Sequence, residues 1–179
     1  MSRLINRETR ESMRHEIIST VKEAAKADKQ SVDADALVFL SGPSVMIVNT
    51  PIAGLDKLDF KAMFDGRPVL DDTPIMYWHL SGDGFEERGA IPAGFYTVVA
   101  NGKRGTVSLK DAKGKTLAEG DLQVIVESTG TAEKTQIVSI DVKSFDVGWT
   151  SVKVCGSVKV KSDKPNVTVT IDGCISIGF

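Results

Sequence analysis

The chain has few of the residues that build metal centres and disulfide frameworks. Its 179 residues include two cysteines and two histidines. Two cysteines are too few for a disulfide-rich scaffold or a four-cysteine zinc site, and two histidines make a multi-histidine zinc site unfavourable. We therefore expect no metal centre and no cofactor.

Long apolar runs and an excess of one charge are also missing. The longest apolar runs, such as 36–40 and 45–48, are far shorter than the roughly 18 residues that span a membrane. Residues 1–30 lack the apolar segment of a secretory signal. The 22 basic and 24 acidic side chains nearly balance, which does not favour nucleic acid. These absences predict a cytoplasmic protein with no membrane span and no nucleic-acid partner; a processed secreted form is the alternative.

The first part of the chain, residues 6–29, predicts a single helix. It contains no glycine or proline and is rich in Glu, Lys, Arg and Ala. One stripe of this helix is basic in its first half and apolar in its second, through Arg3, Arg7, Arg10, Arg14, Ile17, Val21 and Ala24. We expect the apolar half to pack on the rest of the protein or on another helix, and the basic half to project beyond it. The first expectation for its arginines is pairing with neighbouring glutamates on a solvated helix face, and docking on an acidic protein surface is the alternative.

The pattern changes after residue 31 to short apolar or alternating runs separated by Gly, Pro, Asn and Asp, which is typical of antiparallel β structure. The predicted strands are 36–40, 45–48, 75–80, 95–100, 106–110, 122–127, 136–142, 151–161, 167–172 and 175–179. Residues 55–64 fit either a helical turn or a strand. We expect an N-terminal amphipathic helix at 1–31 and a mainly β domain at 32–179. The predicted fold of that domain is an antiparallel β-sandwich, Ig-like or jelly-roll-like, with a partly closed barrel as the alternative.

The predicted strands 151–161 and 167–172 form a hairpin that determines where the two cysteines lie relative to each other. Apolar residues are even-numbered around Val158 and odd-numbered around Ile171, so burying both on one face requires paired residue numbers with an odd sum. A four-residue loop at 163–166 meets this condition, pairs Val158 with Ile171 and places Cys155 opposite Cys174. A pairing shifted by two residues meets it as well and would make the two cysteines diagonal. Free thiols are the expectation in a reducing compartment, a disulfide is the first alternative, and metal ligation is the second.

The strongest candidate site is the segment 77–88, where a predicted strand passes into a loop. Histidine, hydroxyl and carboxylate groups accompany two glycines there, and such transitions often hold binding residues. The candidate ligand-binding residues are Tyr77, Trp78, His79, Asp83 and Glu86. His79 and Asp83 could act as a base and its orienting group, but no positioned nucleophile or metal accompanies them, so no catalytic residue is assigned. The first expectation for this segment is a solvated acidic loop over packed aromatic rings, and a loop that binds a sugar, a peptide or a metal is the alternative.

These patterns favour a protein without catalytic activity. Residues 31–99 carry four basic and ten acidic side chains, which makes them a possible partner for the arginine stripe within the chain or on another copy. The leading hypothesis is a protein-protein assembly or binding module that uses the helix and the acidic loop region. The alternative is a domain that binds a small ligand or carbohydrate through the 77–88 loop, and a small enzyme ranks third.

Overall fold

The computed structural model describes residues 7–42, 45–88, 91–128, 136–147, 151–163 and 165–178. Its helices are α1 (Arg7–Ala27), α2 (Phe60–Phe64) and α3 (Asp83–Arg88). Its strands are β1 (Val38–Gly42), β2 (Val45–Pro51), β3 (Thr73–Ser81), β4 (Gly94–Asn101), β5 (Thr106–Lys110), β6 (Thr116–Ser128), β7 (Gln136–Val147), β8 (Ser151–Asp163) and β9 (Asn166–Gly178).

Helix α1 forms where the sequence predicts it, and its end has a defined geometry. The backbone N–H of Gln30 donates to the carbonyl oxygen of Ala25 at 2.8 Å, and that of Lys29 donates to Lys26 at 3.1 Å. Lys29 has a positive φ of 59°. This pair of hydrogen bonds is a Schellman motif, which satisfies the last helical carbonyls and turns the chain toward the sheet. No helix in the described ranges is long and apolar enough to cross a membrane.

The ambiguous segment at 55–64 is helical. It contains a short 3-10 turn at Leu55–Lys57, followed by α2. The side chain of Asp59 accepts a hydrogen bond from the backbone N–H of Ala62 at 3.0 Å. An aspartate in this position satisfies one of the free N–H groups at a helix start, which favours helix over strand.

The described strands form one nine-stranded antiparallel sheet in the order β1-β2-β3-β4-β5-β6-β9-β8-β7. The first six strands follow chain order. Strands β6 to β9 form a Greek key, because β7, β8 and β9 are consecutive neighbours and β6 lies beside β9. The edge strands β1 and β7 approach each other, so the sheet nearly closes on itself. The predicted class, mainly β with an N-terminal helix, is confirmed.

Strand β6 joins the two halves of this sheet, which are β1 to β5 on one side and β7 to β9 on the other. Its first part, from Thr116 to Asp121, pairs with β5, and its second part, from Leu122 to Ser128, pairs with β9. Where β6 leaves β9, a Cβ atom added to Gly120 would lie 1.6 Å from the carbonyl oxygen of Cys174. The two backbones pass so closely that only glycine fits at this position. The sequence prediction missed the first part of β6, which is short of apolar residues.

Both halves of the sheet contribute to one hydrophobic core. Ile47, Leu80 and Leu109 face it from β2 to β5, and Val160 and Ile177 face it from β8 and β9. The alternation predicted for β8 is confirmed by a buried set comprising Val152, Val154, Val158 and Val160, while Lys153 is exposed. We call the face that carries these buried residues the inner face and the opposite side of the sheet the outer face.

The terminal hairpin differs from its prediction in length. The segments predicted as separate strands at 167–172 and 175–179 form the single strand β9, because Gly173 pairs with Gly156 and does not interrupt the ladder. The loop between β8 and β9 has two residues instead of the predicted four, because Asp163 pairs with Asn166. The predicted pairing of Val158 with Ile171 is confirmed.

We expect Gly120→Ala to lower the free energy of unfolding by about 3 kcal/mol or more, because the new methyl group meets backbone atoms that have little freedom to move. Urea unfolding would measure the change. Gly178→Ala is the matched control, because Gly178 also lies in a strand but has no atom within 4 Å of an added Cβ. Equal stability of the two variants would contradict the close strand passage.

Candidate functional site

The residues predicted as one ligand site lie on two sides of the sheet. In the pairing of β2 with β3, Tyr77 lies opposite Thr50, Trp78 opposite Asn49, and His79 opposite Val48. Because side chains alternate along a strand, Trp78 lies on the inner face, and Tyr77 and His79 lie on the outer face.

The acidic members of the predicted site lie after the strand. Asp83 is exposed at the start of α3. Glu86 belongs to the same helix, and its side chain lies outside the described part of the structure. The structure therefore brings Tyr77 and His79 together and separates them from Trp78.

The outer face is covered by α1. Val21 and Ala25 of the helix pack with Val48 and Tyr77 of the sheet. The Tyr77 hydroxyl donates a 2.5 Å hydrogen bond to Oδ2 of Asp28, directly after the helix. Burial raises the pKa of Tyr77, and the hydrogen bond and charge of Asp28 raise it further, so the hydroxyl stays protonated. The apolar half of the predicted helix stripe thus packs on its own chain.

His79 belongs to an aromatic cluster on this outer face. Its ring stacks on Phe95 with centroids 4.2 Å apart and planes 8° apart, and Phe95 also stacks on Tyr77 at 5.7 Å. Partial burial lowers the pKa of His79, which favours the neutral imidazole. No group of three His, Cys, Asp or Glu side chains in the described residues could hold a metal ion.

Most side chains of the predicted arginine stripe lie outside the part of the chain that the structure describes. Arg3 precedes the described residues. Arg7 and Arg10 lie in the first turns of α1, with side chains outside the described part, and Arg14 is half-buried. Docking of these arginines on an acidic protein surface therefore stays a prediction.

A cavity lies in the core between the two halves of the sheet, and we call it the core cavity. Its volume is about 60 Å³. One wall consists of residues from β2 to β4, including Asn49, Met76, Trp78 and Val98. The other wall comes from β8 and β9, including Val154, Ile171 and Ile175. All the described lining residues are uncharged, and most are hydrocarbon side chains.

Two polar atoms in this lining have no hydrogen-bond partner. They are Nε1 of Trp78 and Oδ1 of Asn49. The two residues are 5% and 3% exposed, and they lie directly opposite each other on neighbouring strands. A buried polar group without a partner costs about 1–3 kcal/mol, so each such group in a folded protein calls for an explanation. Together they offer one N–H donor and one carbonyl acceptor beside an apolar cavity.

Asn49 is the functional candidate that the sequence analysis missed. A signal for it exists in the strand pattern. Val45, Ile47 and Asn49 share one parity in β2, so an amide occupies a position where the alternation requires an apolar side chain. A polar residue on the buried face of a strand is a more specific sign of a site than a polar loop.

The two cysteines lie behind the cavity wall formed by β8 and β9. Cys155 pairs with Cys174, as the predicted register requires. Their sulfur atoms are joined in a disulfide, 2.07 Å apart. The next pair along the ladder, Gly156 and Gly173, lines the core cavity. The crosslink therefore connects the two strands beside the site.

We expect stability to decrease as the pH falls below 6.5, because unfolded His79 binds a proton near its ordinary pKa of 6.5, whereas folded His79 binds one only at lower pH. The loss grows until the pH reaches the folded pKa and is absent above 6.5. Urea unfolding from about pH 5 to pH 8 would measure this slope. His79→Gln should reduce it, and His15→Gln, at an exposed position on α1, should preserve it. Identical slopes in the two variants would disprove the role of His79.

We expect the oxidised protein to be lighter by the two thiol hydrogens than the reduced protein, as measured by intact mass. The disulfide closes a loop with a sequence separation of 19, and a loop of this size contributes about 3 kcal/mol to stability. Reductant should lower the stability of the natural chain by this amount and leave the Cys155→Ser, Cys174→Ser double variant unchanged. A purified protein with two free thiols would refute this expectation.

Comparison with known proteins finds no matching family model, no matching curated protein and no matching solved structure.

Proposed function

We propose that this protein is a non-catalytic binding domain for a small neutral molecule held in the core cavity. The observation that carries the proposal is the pair of opposed, buried and unpartnered polar atoms of Asn49 and Trp78. Ligand sites in proteins are typically apolar cavities with a few polar groups that orient the ligand. The core cavity has this composition.

The chemistry of the cavity lining supports binding rather than catalysis. General acid-base catalysis needs a titratable group within hydrogen-bond reach of the reacting atoms. The described lining consists of apolar residues with asparagine, tryptophan, serine and glycine. It supplies hydrogen bonds and apolar contacts, which are suited to holding a molecule.

The proposal retains Trp78 from the predicted ligand site and adds Asn49. A carbohydrate is a poor fit, because each of its many hydroxyl groups would need a partner in a cavity with two unpartnered polar side chains. A small molecule with one polar group matches the described lining better.

We also propose that the curled sheet is a two-layer β-sandwich. Strand β6 supports this arrangement, because it pairs with β5 along one part and with β9 along the other. The hydroxyl of Tyr96 donates to the carbonyl oxygen of Pro92 at 2.5 Å. A tyrosine that bonds the backbone a few residues upstream is common in Ig-like sandwiches.

The disulfide is relevant to the cellular compartment in which the protein is found. Disulfides persist mainly in oxidising environments. The Cys155–Cys174 bond therefore supports the processed secreted form over the cytoplasmic location that the sequence predicted.

We expect propan-2-ol, propanone and propanamide, as a panel of neutral probes, to include at least one that shifts the indole N–H resonance of Trp78 in a saturable manner. The shift follows from a hydrogen bond to Nε1. Two-dimensional ¹H–¹⁵N spectra would measure it, with Trp78→Phe to assign the resonance. If no probe produces a saturable shift, the proposed function is wrong.

Cavity-filling variants provide the control for this experiment. Val98→Ile together with Val154→Ile adds a methyl group from each wall and should weaken binding by about tenfold or more without lowering Tm. Val48→Ile makes the same change in the buried cluster under α1, away from the cavity, and should leave binding unchanged.

A further inference from the structure

We infer that the ligand of the core cavity is a neutral aliphatic alcohol whose hydroxyl group binds between Asn49 and Trp78. This inference rests on the proposed function and specifies the chemical class of its ligand. Three properties of the cavity carry it: the charge of the lining, the types of its unpartnered polar atoms, and its volume.

The absence of charge in the described lining excludes an ionic ligand. Moving an ion from water into an apolar site without a counter-charge costs many kcal/mol. The described walls provide hydrocarbon side chains from Val98, Val154, Ile171 and Ile175, and none of the lining residues is acidic or basic. A carboxylate, phosphate or ammonium group would lose its hydration without compensation.

The two unpartnered atoms require a ligand group that both donates and accepts. The indole N–H of Trp78 is a donor only, and the amide oxygen Oδ1 of Asn49 is an acceptor only. They come from directly opposite residues on neighbouring strands, and both residues line the same small cavity. A hydroxyl group meets both needs with a single oxygen atom. A ketone or ether would leave Oδ1 of Asn49 without a donor.

The volume and the walls define the rest of the molecule. A cavity of about 150 Å³ lined by hydrophobic side chains binds benzene. The core cavity, at about 60 Å³, is too small for an aromatic ring. It fits a short aliphatic group, which would contact the valine and isoleucine side chains of both walls.

Water is the competing occupant, because a water molecule also donates and accepts. The experiment compares propan-2-ol, propanone and acetate on the full chain, with the Trp78 indole resonance as the readout. We expect propan-2-ol to bind about fivefold to tenfold more tightly than propanone, which corresponds to one hydrogen bond to Asn49. Acetate should not bind.

The variant Asn49→Leu tests the second hydrogen bond directly. It removes the acceptor and keeps a side chain of similar size, and replacing an amide whose buried oxygen has no partner by an apolar group is tolerated. We expect the preference for propan-2-ol over propanone to fall to near unity while both probes still bind. If this variant does not fold, the ratio of the dissociation constants of propanone and propan-2-ol for the natural chain tests the hydrogen bond to Asn49 by itself.

The outcomes separate the two proposals. Equal binding of propan-2-ol and propanone to the natural chain would overturn the alcohol and leave a binding cavity. If neither probe binds and only water transfers magnetisation to the Trp78 N–H, both proposals are overturned. The cavity then holds structural water. Octan-1-ol is too long for the core cavity, so it should bind more weakly than propan-2-ol, and tighter binding would contradict a short aliphatic ligand.

Discussion

The fold depends on the close passage of two strands, where Gly120 of β6 meets the carbonyl oxygen of Cys174 in β9. Without a side chain at this point, β6 can leave β9 and continue as the partner of β5. One sheet thereby turns back over itself, and the apolar faces of its two halves close on a single core. The core cavity lies between these halves, close to where the strands diverge, because Leu122 and Gly173 pair there and both line it. The geometry of the cavity is therefore a consequence of how the two strands cross.

The N-terminal helix covers a second apolar surface, on the outer face of the sheet. Strand β2 is buried on both faces, with Ile47 toward the core and Val48 toward the helix. A strand with two apolar faces must be covered on both sides to remove its side chains from water. Helix α1 covers the outer face, and the hydrogen bond from Tyr77 to Asp28 holds the end of the helix on the sheet. The outer face thus has a packing role, while the unpartnered polar atoms lining the cavity lie on the inner face.

The arrangement of Asn49 and Trp78 concentrates polarity at one point of an otherwise apolar cavity. A buried donor and a buried acceptor without partners lower stability, so each of them calls for an explanation. The disulfide lies on the far side of the wall formed by β8 and β9, next to the glycine pair that lines the cavity. The crosslink restrains the separation of these strands, and with it the volume of the core cavity.

By itself the sequence determined the features that depend on local pattern. The helix follows from composition between residues 6 and 29, and the buried face of β8 follows from the alternation through Val152 and Val158. The same alternation in two neighbouring strands puts Cys155 and Cys174 on one face, directly opposite each other in one of the registers that it allows. Each of these rests on a period of residues close together in the chain. The sequence also pointed to Trp78, but it grouped this residue with Tyr77 and His79, which occupy the other face.

Only the tertiary structure decided which distant residues meet. Asn49 and Val154 are far apart in sequence, and they line one cavity because β6 carries the sheet back over itself. An amide in β2 has no special meaning until its neighbour across the strand and the missing partner of its oxygen are known. Local patterns define which face of a strand is buried, whereas a cavity depends on how two faces from separate parts of the chain fit together.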